Sequence, residues 1–287
     1  MRLGVVGMLP SDFREIDNKH LEAIKALKLT GAAFHAPGAM LAEVTTEECR
    51  TVRDTIAAAG MDLPQFGIGF SECLFDPDQA TRDTVVSTIE RGIEVARDLS
   101  AFTCLIRTGS LNPQGSYCPA RENLTPQARE QLVATLKRVA AKAEAENVTI
   151  VIETHALTIM GSPELNRDIL QAVGSDRVTV VMDFVNHFQN LDQVYNNAAR
   201  LQHIFDIMNP ISVVGHVKDI KLSPGLVLHI DEEIPGEGEL DTALALKLWH
   251  DAHPDDYMLL EHLPNEKYPQ AAANVHRILA DAGIPVH

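Results

Sequence analysis

Short apolar runs alternate along this chain with longer stretches in which apolar residues recur at helical spacing. The short runs are Leu3–Gly7, Ala32–His35, Asp62–Gly67, Phe102–Arg107, Val148–Glu153, Val178–Asp183, Ile211–Val217 and Tyr257–Glu261. Those in the second half are rich in Val and Ile and lack polar alternation, as parallel strands covered on both faces require. Between the runs, Thr45-Thr46-Glu47-Glu48 reads as a capping box, in which a Thr hydroxyl and a Glu carboxylate satisfy free amides at a helix start. The helix it opens runs toward Gly60, a natural C-terminal stop. Thr125-Pro126 and Ser162-Pro163 each set a cap before a proline in the first helical position. Leu132, Leu136, Val139 and Ala143 follow the first at helical spacing, and Gly174 stops the second.

Eight strands, each followed by a helical stretch, predict an α/β fold: a (β/α)8 TIM barrel occupying residues 1–287 as a single domain. A doubly wound sheet makes the same alternation. However, Gly4-Val5-Val6-Gly7 lacks the third glycine and the helix opening of a dinucleotide site, and no P-loop occurs.

Composition narrows the partners. Hydrophobic residues make up 45% of the chain and charged ones 22%, enough apolar content for a sizeable core. With 24 Lys and Arg against 40 Asp and Glu the net charge is −16, which repels phosphate backbones and anionic lipid. No basic patch offsets it, so neither nucleic acid nor a membrane is an expected partner. The opening MRLGVVGMLP lacks a signal-peptide pattern, and no long apolar span occurs. Cys49, Cys73, Cys104 and Cys118 show no paired spacing, so the expectation is a cytoplasmic protein with reduced thiols.

The chemistry gathers at strand ends. In such a barrel the active site lies where strands run into the following loops. The last four strands end on VTIVIETH with Glu153 and His155, VTVVMDFVNH with Asp183, Asn186 and His187, ISVVGHVKD with His216, Lys218 and Asp219, and YMLLEHL with Glu261 and His262. Neighbouring strands lie ~4.8 Å apart, so inward side chains across this arc can converge on one point. Three carboxylates gathered in a dry site repel one another unless a cation holds them. Three carboxylates and one imidazole form a hard, oxygen-rich set. It suits one divalent ion, Mn²⁺ first or Mg²⁺, with Co²⁺ and Zn²⁺ as alternatives.

Glu153 in IET, Asp183 in MDFVNH, His216 in GHVKD, Glu261 in LEH and the loop IPGEGELD together resemble the xylose-isomerase-like barrels. That superfamily holds sugar isomerases and epimerases, inositol-pathway dehydratases, hydroxypyruvate isomerase and the endonuclease IV branch. The motifs span Val148 to Leu263, and the strand–helix pattern extends the likeness over the whole chain. The resemblance implies that Glu153, Asp183, His216 and Glu261 bind one divalent metal. It also implies that Glu153 and Glu261 act as acid and base on opposite faces of the substrate, as in ketose epimerases. Those epimerases carry a His three residues after the Asp; here that position is Asn186, and His187 comes one later. HVKD is more similar to the sugar-phosphate isomerase and inositol-dehydratase branches.

Around this set, Arg107 either pairs with a ligand carboxylate or grips an anionic substrate group. Lys218 can be a second cation, a proton donor or a partner of Asp219. His35, His155 and His187 are candidate substrate contacts at the mouth, with His262 beside them. Gly236 and Gly238 read as a tight turn before a helix capped by Asp241. Met160, Phe184 and Phe188 either face substrate or pack beneath the loops.

The leading expectation is a metal-dependent isomerase or epimerase that forms an enediolate from a small keto-sugar or sugar acid, with Glu153 and Glu261 moving the proton. The alternative on the same site is a lyase, a decarboxylase or dehydratase of a 3-oxo sugar acid. A barrel that binds sugars without catalysis is a third reading. Phosphodiester cleavage fits poorly, because strand four ends on Arg107 and a Lys stands at 218. Many relatives self-associate, so the resemblance leaves room for a homo-oligomer.

Overall fold

The structure, a computed structural model, describes residues 1–287. Its first strands are β1 (Arg2–Val6), β2 (Gly31–Pro37), β3 (Gln65–Gly69), β4 (Thr103–Arg107) and β5 (Ile150–Glu153). There follow β6 (Val178–Asp183), β7 (Ser212–Val217), β8 (Asp219–Ser223), β9 (His229–Glu233) and β10 (Tyr257–Leu260). Eight of them close into a barrel in the order β1-β10-β7-β6-β5-β4-β3-β2, and helices separate successive barrel strands in the chain. Every barrel pairing is parallel. The expected (β/α)8 barrel is therefore present, with each expected run lying on its strand.

Local signals act as the sequence predicts. The Thr45 hydroxyl accepts from the Glu48 N–H, and the Thr45 N–H donates back to the Glu48 carboxylate at 2.8 Å. Thr125 caps the helix that starts at Pro126 by accepting from the Ala128 N–H, and Ser162 does the same for the Leu165 N–H. Gly174 ends the latter helix with φ +74°, where a side chain would be strained.

The core has two layers. A cluster of 73 buried residues fills the space between strands and helices, whereas only 8 form a separate cluster: Val6, Ala33, Leu105, Val151, Val181, Val214, Tyr257 and Leu259. These eight line the barrel interior. Because side chains alternate across a strand, their partners two residues onward also point inward. From Ala33, Leu105, Val151, Val181, Val214 and Leu259 that step leads to His35, Arg107, Glu153, Asp183, His216 and Glu261. The register aligns them, since Arg107 pairs with Glu153 and Asp183 with His216.

Two differences from the sequence expectation stand out. The third strand begins at Gln65 rather than Asp62, because Pro64 has no N–H for a ladder; Asp62 makes only an isolated bridge to Gly31. The segment after His216 also holds an antiparallel hairpin, β8 with β9, outside the barrel sheet. Its sequence DIKLS and HIDEE is largely polar, so no apolar run announces it.

Candidate metal centre

Glu153, Asp183, His216 and Glu261 meet at the C-terminal mouth of the barrel, with one ligand atom from each within 4.8 Å of all the others. All four are buried, none more than 3% exposed. Both carboxylate oxygens of Asp183, both of Glu261 and Nδ1 of His216 are buried without a hydrogen bond of good geometry. Orphaned lone pairs in a dry site are costly unless a cation meets them. The donor set fits a divalent ion on those grounds: three carboxylates and one imidazole converge in a dry site, where Lys218 and Arg107 supply the counter-charge.

The imidazole is oriented from behind. His216 Nε2 stands 3.1 Å from Gln65 Oε1, so it is the ring's donor there and Nδ1 faces the carboxylates. Nδ1 lies 2.8 Å from Glu261 Oε2 and 3.5 Å from Asp183 Oδ2. Burial works against charge on this ring, yet Glu261 and Asp183 outweigh it and raise its pKa to about 9. The field that retains a proton on Nδ1 is the field that would attract a metal ion.

Two cations stand among these four residues. Lys218 Nζ lies 2.7 Å from Asp183 Oδ2 and 3.2 Å from Glu261 Oε2, so its partners are those carboxylates and not Asp219. Burial opposes ionisation of Asp183, but Lys218 and His216 hold its carboxyl down to about 2. Glu261 is likewise held well below the usual range against burial, by His216 and then Lys218. Arg107 Nε donates to Glu153 Oε2 at 2.7 Å, the paired arrangement rather than a free guanidinium. Its guanidinium also lies over the Tyr117 ring, 5.4 Å from the centroid.

A cleft of about 330 Å³ opens beside the cluster, lined by Glu153, His155, Asn186, Phe188, Glu232, His262, Tyr117 and apolar neighbours. Tyr117 stacks on His155 with centroids 5.0 Å apart, an aromatic pair that lines the cleft with Glu153. Burial chiefly lowers the pKa of His155, against the pull of Glu153. His35 lies across Gly67, where even a Cβ would come within 1.9 Å of its ring. Its Nε2 is buried without a partner, and burial, aided by Arg107, lowers its pKa to about 4.

Of the candidate histidines, His35 and His187 do not line the cleft. His187 is fully buried behind β5, with Nε2 3.3 Å from the Thr154 hydroxyl, and it does not line the cavity. The one-residue offset from the ketose-epimerase spacing turns it away from the site and leaves Asn186 on the cleft wall. Met160 and Phe184 are core residues, whereas Phe188 packs at the cleft edge. Asp219 organises the loop that follows the hairpin: its carboxylate accepts from the N–H groups of Ile220, Gly236, Gly238 and Leu240 and from the Thr242 hydroxyl. Asp241 caps the next helix through the Leu244 N–H, as expected.

Three contributors escaped the sequence reading. Gln65 carries a readable signal, as the one polar side chain on the strand QFGIG. Tyr117 and Glu232 come from a loop and from the polar hairpin, and nothing in their sequence context marks them.

A model of the xylose isomerase-like TIM barrel family matches residues 21–279. The chain belongs to that family. Among solved structures, 3-keto-D-glucoside 4-epimerase from E. coli is 15% identical over 96% of this chain and 99% of its own, with a TM-score of 0.72. D-psicose 3-epimerase from Clostridium cellulolyticum, solved with D-tagatose, is 13% identical over 99% and 98%, with a TM-score of 0.70. A xylose isomerase-like barrel from Mycobacterium smegmatis in complex with magnesium is 13% identical over 98% and 96%, with a TM-score of 0.72. At such identities the likeness to these members of the family is one of fold. No curated protein is similar enough in sequence to match. No helix of the chain is long and apolar enough to cross a membrane.

Proposed function

We propose that this chain is a divalent-metal-dependent isomerase or epimerase of a small keto-sugar or its acid. The observation that carries the reading is the placement of Glu153 and Glu261. They close the two ends of the ligand arc, on β5 and just past β10, with β6 and β7 between them. Two carboxylates on opposite sides of one bound carbon let a proton leave one face and return to the other, or to the neighbouring carbon. A divalent ion held by Glu153, Asp183, His216 and Glu261 supplies polarisation of a carbonyl oxygen, which acidifies the adjacent C–H. Mn²⁺ is the first choice for this oxygen-rich set, followed by Mg²⁺. The family resemblance to a keto-glucoside epimerase and a psicose epimerase supports the same class.

The residues of this chain divide the work. Arg107 holds one oxygen of Glu153, which itself lines the cleft, so this base acts through its position. Tyr117 and His155 shield that pair from water. His35, whose ring lies across Gly67 and outside the cleft lining, takes no part in this division. The pairing of Arg107 with Glu153 favours this reading over a lyase in which Arg107 grips a substrate carboxylate.

A panel of neutral ketoses and 3-oxo sugar acids, incubated with protein and Mn²⁺, tests the choice. The expected result is epimer or isomer formation from at least one neutral ketose, with no CO₂ and no water-loss product. CO₂ release or dehydration from the acids, with neutral ketoses untouched, would overturn it in favour of the lyase.

A further inference from the structure

Three buried carboxylates in one site need counter-charge, and Lys218 supplies part of it from a side chain only 2% exposed. Its ammonium holds Asp183 Oδ2 and Glu261 Oε2, two of the oxygens a divalent ion would take at ~2.0–2.2 Å. An ammonium and a dication sharing those oxygens would sit within a few ångströms of each other and repel. Lys218 also has a second set of partners within reach. Glu232 Oε1, on β9, lies 3.5 Å from Nζ, and His262 Nδ1 lies 3.0 Å away. Glu232 and His262 stand 3.2 Å apart on the rim of the cleft, both about two-fifths exposed. His262 Nδ1 can accept from the ammonium or donate to Glu232, but not both at once. The residue is held there at φ +60°, a left-handed backbone conformation that non-glycine residues rarely adopt.

We propose that Lys218 is a movable counter-ion: a divalent ion displaces its ammonium from Asp183 and Glu261, and Glu232 receives it at the rim of the cleft. Lys218 follows His216 by two residues on the inward face, so a modest rotation of its long side chain is enough to exchange partners. In the received position the ammonium faces the cleft, where it contacts substrate oxygen. The polar hairpin β8–β9 acquires a purpose, since it is the element that brings Glu232 to the site.

This inference rests on the metal-centre reading, and calorimetric titration separates the two. Full-length protein stripped with chelator is titrated with Mn²⁺ at fixed pH and salt, as wild type, Lys218→Met and Glu232→Gln. The wild type is expected to bind one ion. Lys218→Met is expected to bind it at least ~tenfold more tightly, because the competing ammonium is gone. The same variant is expected to melt at a lower temperature than the wild type when both are metal-free. Glu232→Gln is expected to bind about tenfold more weakly, although Glu232 is not a ligand. Equal or weaker binding by Lys218→Met, together with unchanged binding by Glu232→Gln, overturns the movable counter-ion and leaves the metal site standing. No binding by the wild type overturns both. If Lys218→Met does not fold, Glu232→Gln on the exposed hairpin decides the matter by its affinity alone.

Discussion

Glu153→Gln and Glu261→Gln are each expected to lower kcat by about 10³-fold while the protein still carries a metal ion. The amide keeps the size of the side chain and one oxygen that can coordinate, but it cannot take or deliver a proton at neutral pH. The two variants should differ in a second respect. Glu153 has its own guanidinium partner, Arg107, so its replacement leaves a charged group without its carboxylate. Each replacement removes one negative charge, but Glu261 is one of the two carboxylates that Lys218 contacts, so its loss leaves that ammonium beside the ion on Asp183 alone and should weaken metal binding more. Rates measured at saturating Mn²⁺, with metal content determined on the same samples, separate the chemical loss from the binding loss. Full activity in both variants at full metal occupancy would contradict an acid–base role for the pair.

Asp219→Asn is expected to cost about 3–5 kcal/mol of stability, far more than a surface amide exchange. The carboxylate is completely buried and accepts four backbone N–H groups and one hydroxyl. Oδ2 alone receives the N–H groups of Gly236 and Gly238 and the Thr242 hydroxyl. An asparagine sets an NH₂ group against donors on one side or the other, because the carboxamide has only one oxygen. Nor can the loop relax around it: a Cβ at Gly238 would already sit 2.3 Å from Asp219 Oδ1. Denaturant unfolding monitored through Trp249, which is buried in the core, reports the loss. A change under about 1 kcal/mol would show that the loop is held by other contacts.

The contrast between Asp219 and its neighbours explains what was legible in the sequence. Barrel strands five to seven could be read because both faces are buried, which forces the Val- and Ile-rich runs that end on Glu153, Asp183 and His216. Side-chain alternation then puts each of those ends on the inside, so the convergence of Glu153, Asp183, His216 and Glu261 is legible in the sequence. Helix starts were legible for the same local reason, a cap and a proline or a capping box. What escaped depends on contacts between distant segments. Gln65 orients His216 across 151 positions of sequence. The partners of Lys218 are set by where β6, β9 and β10 end in space, and its own strand carries no sign of them. His187 looked like a mouth residue because it follows a strand end, but the short helical turn Phe184–His187 points it behind the barrel wall.

The most direct measurement is solvent deuterium exchange into a ketose that the protein turns over, followed by NMR with Mn²⁺ removed after the reaction. Deuterium is expected at the carbon beside the carbonyl, only when metal was present, and not in the Glu153→Gln, Glu261→Gln double variant. Turnover without exchange, or exchange at the wild-type rate in the double variant, would contradict proton transfer by these two glutamates.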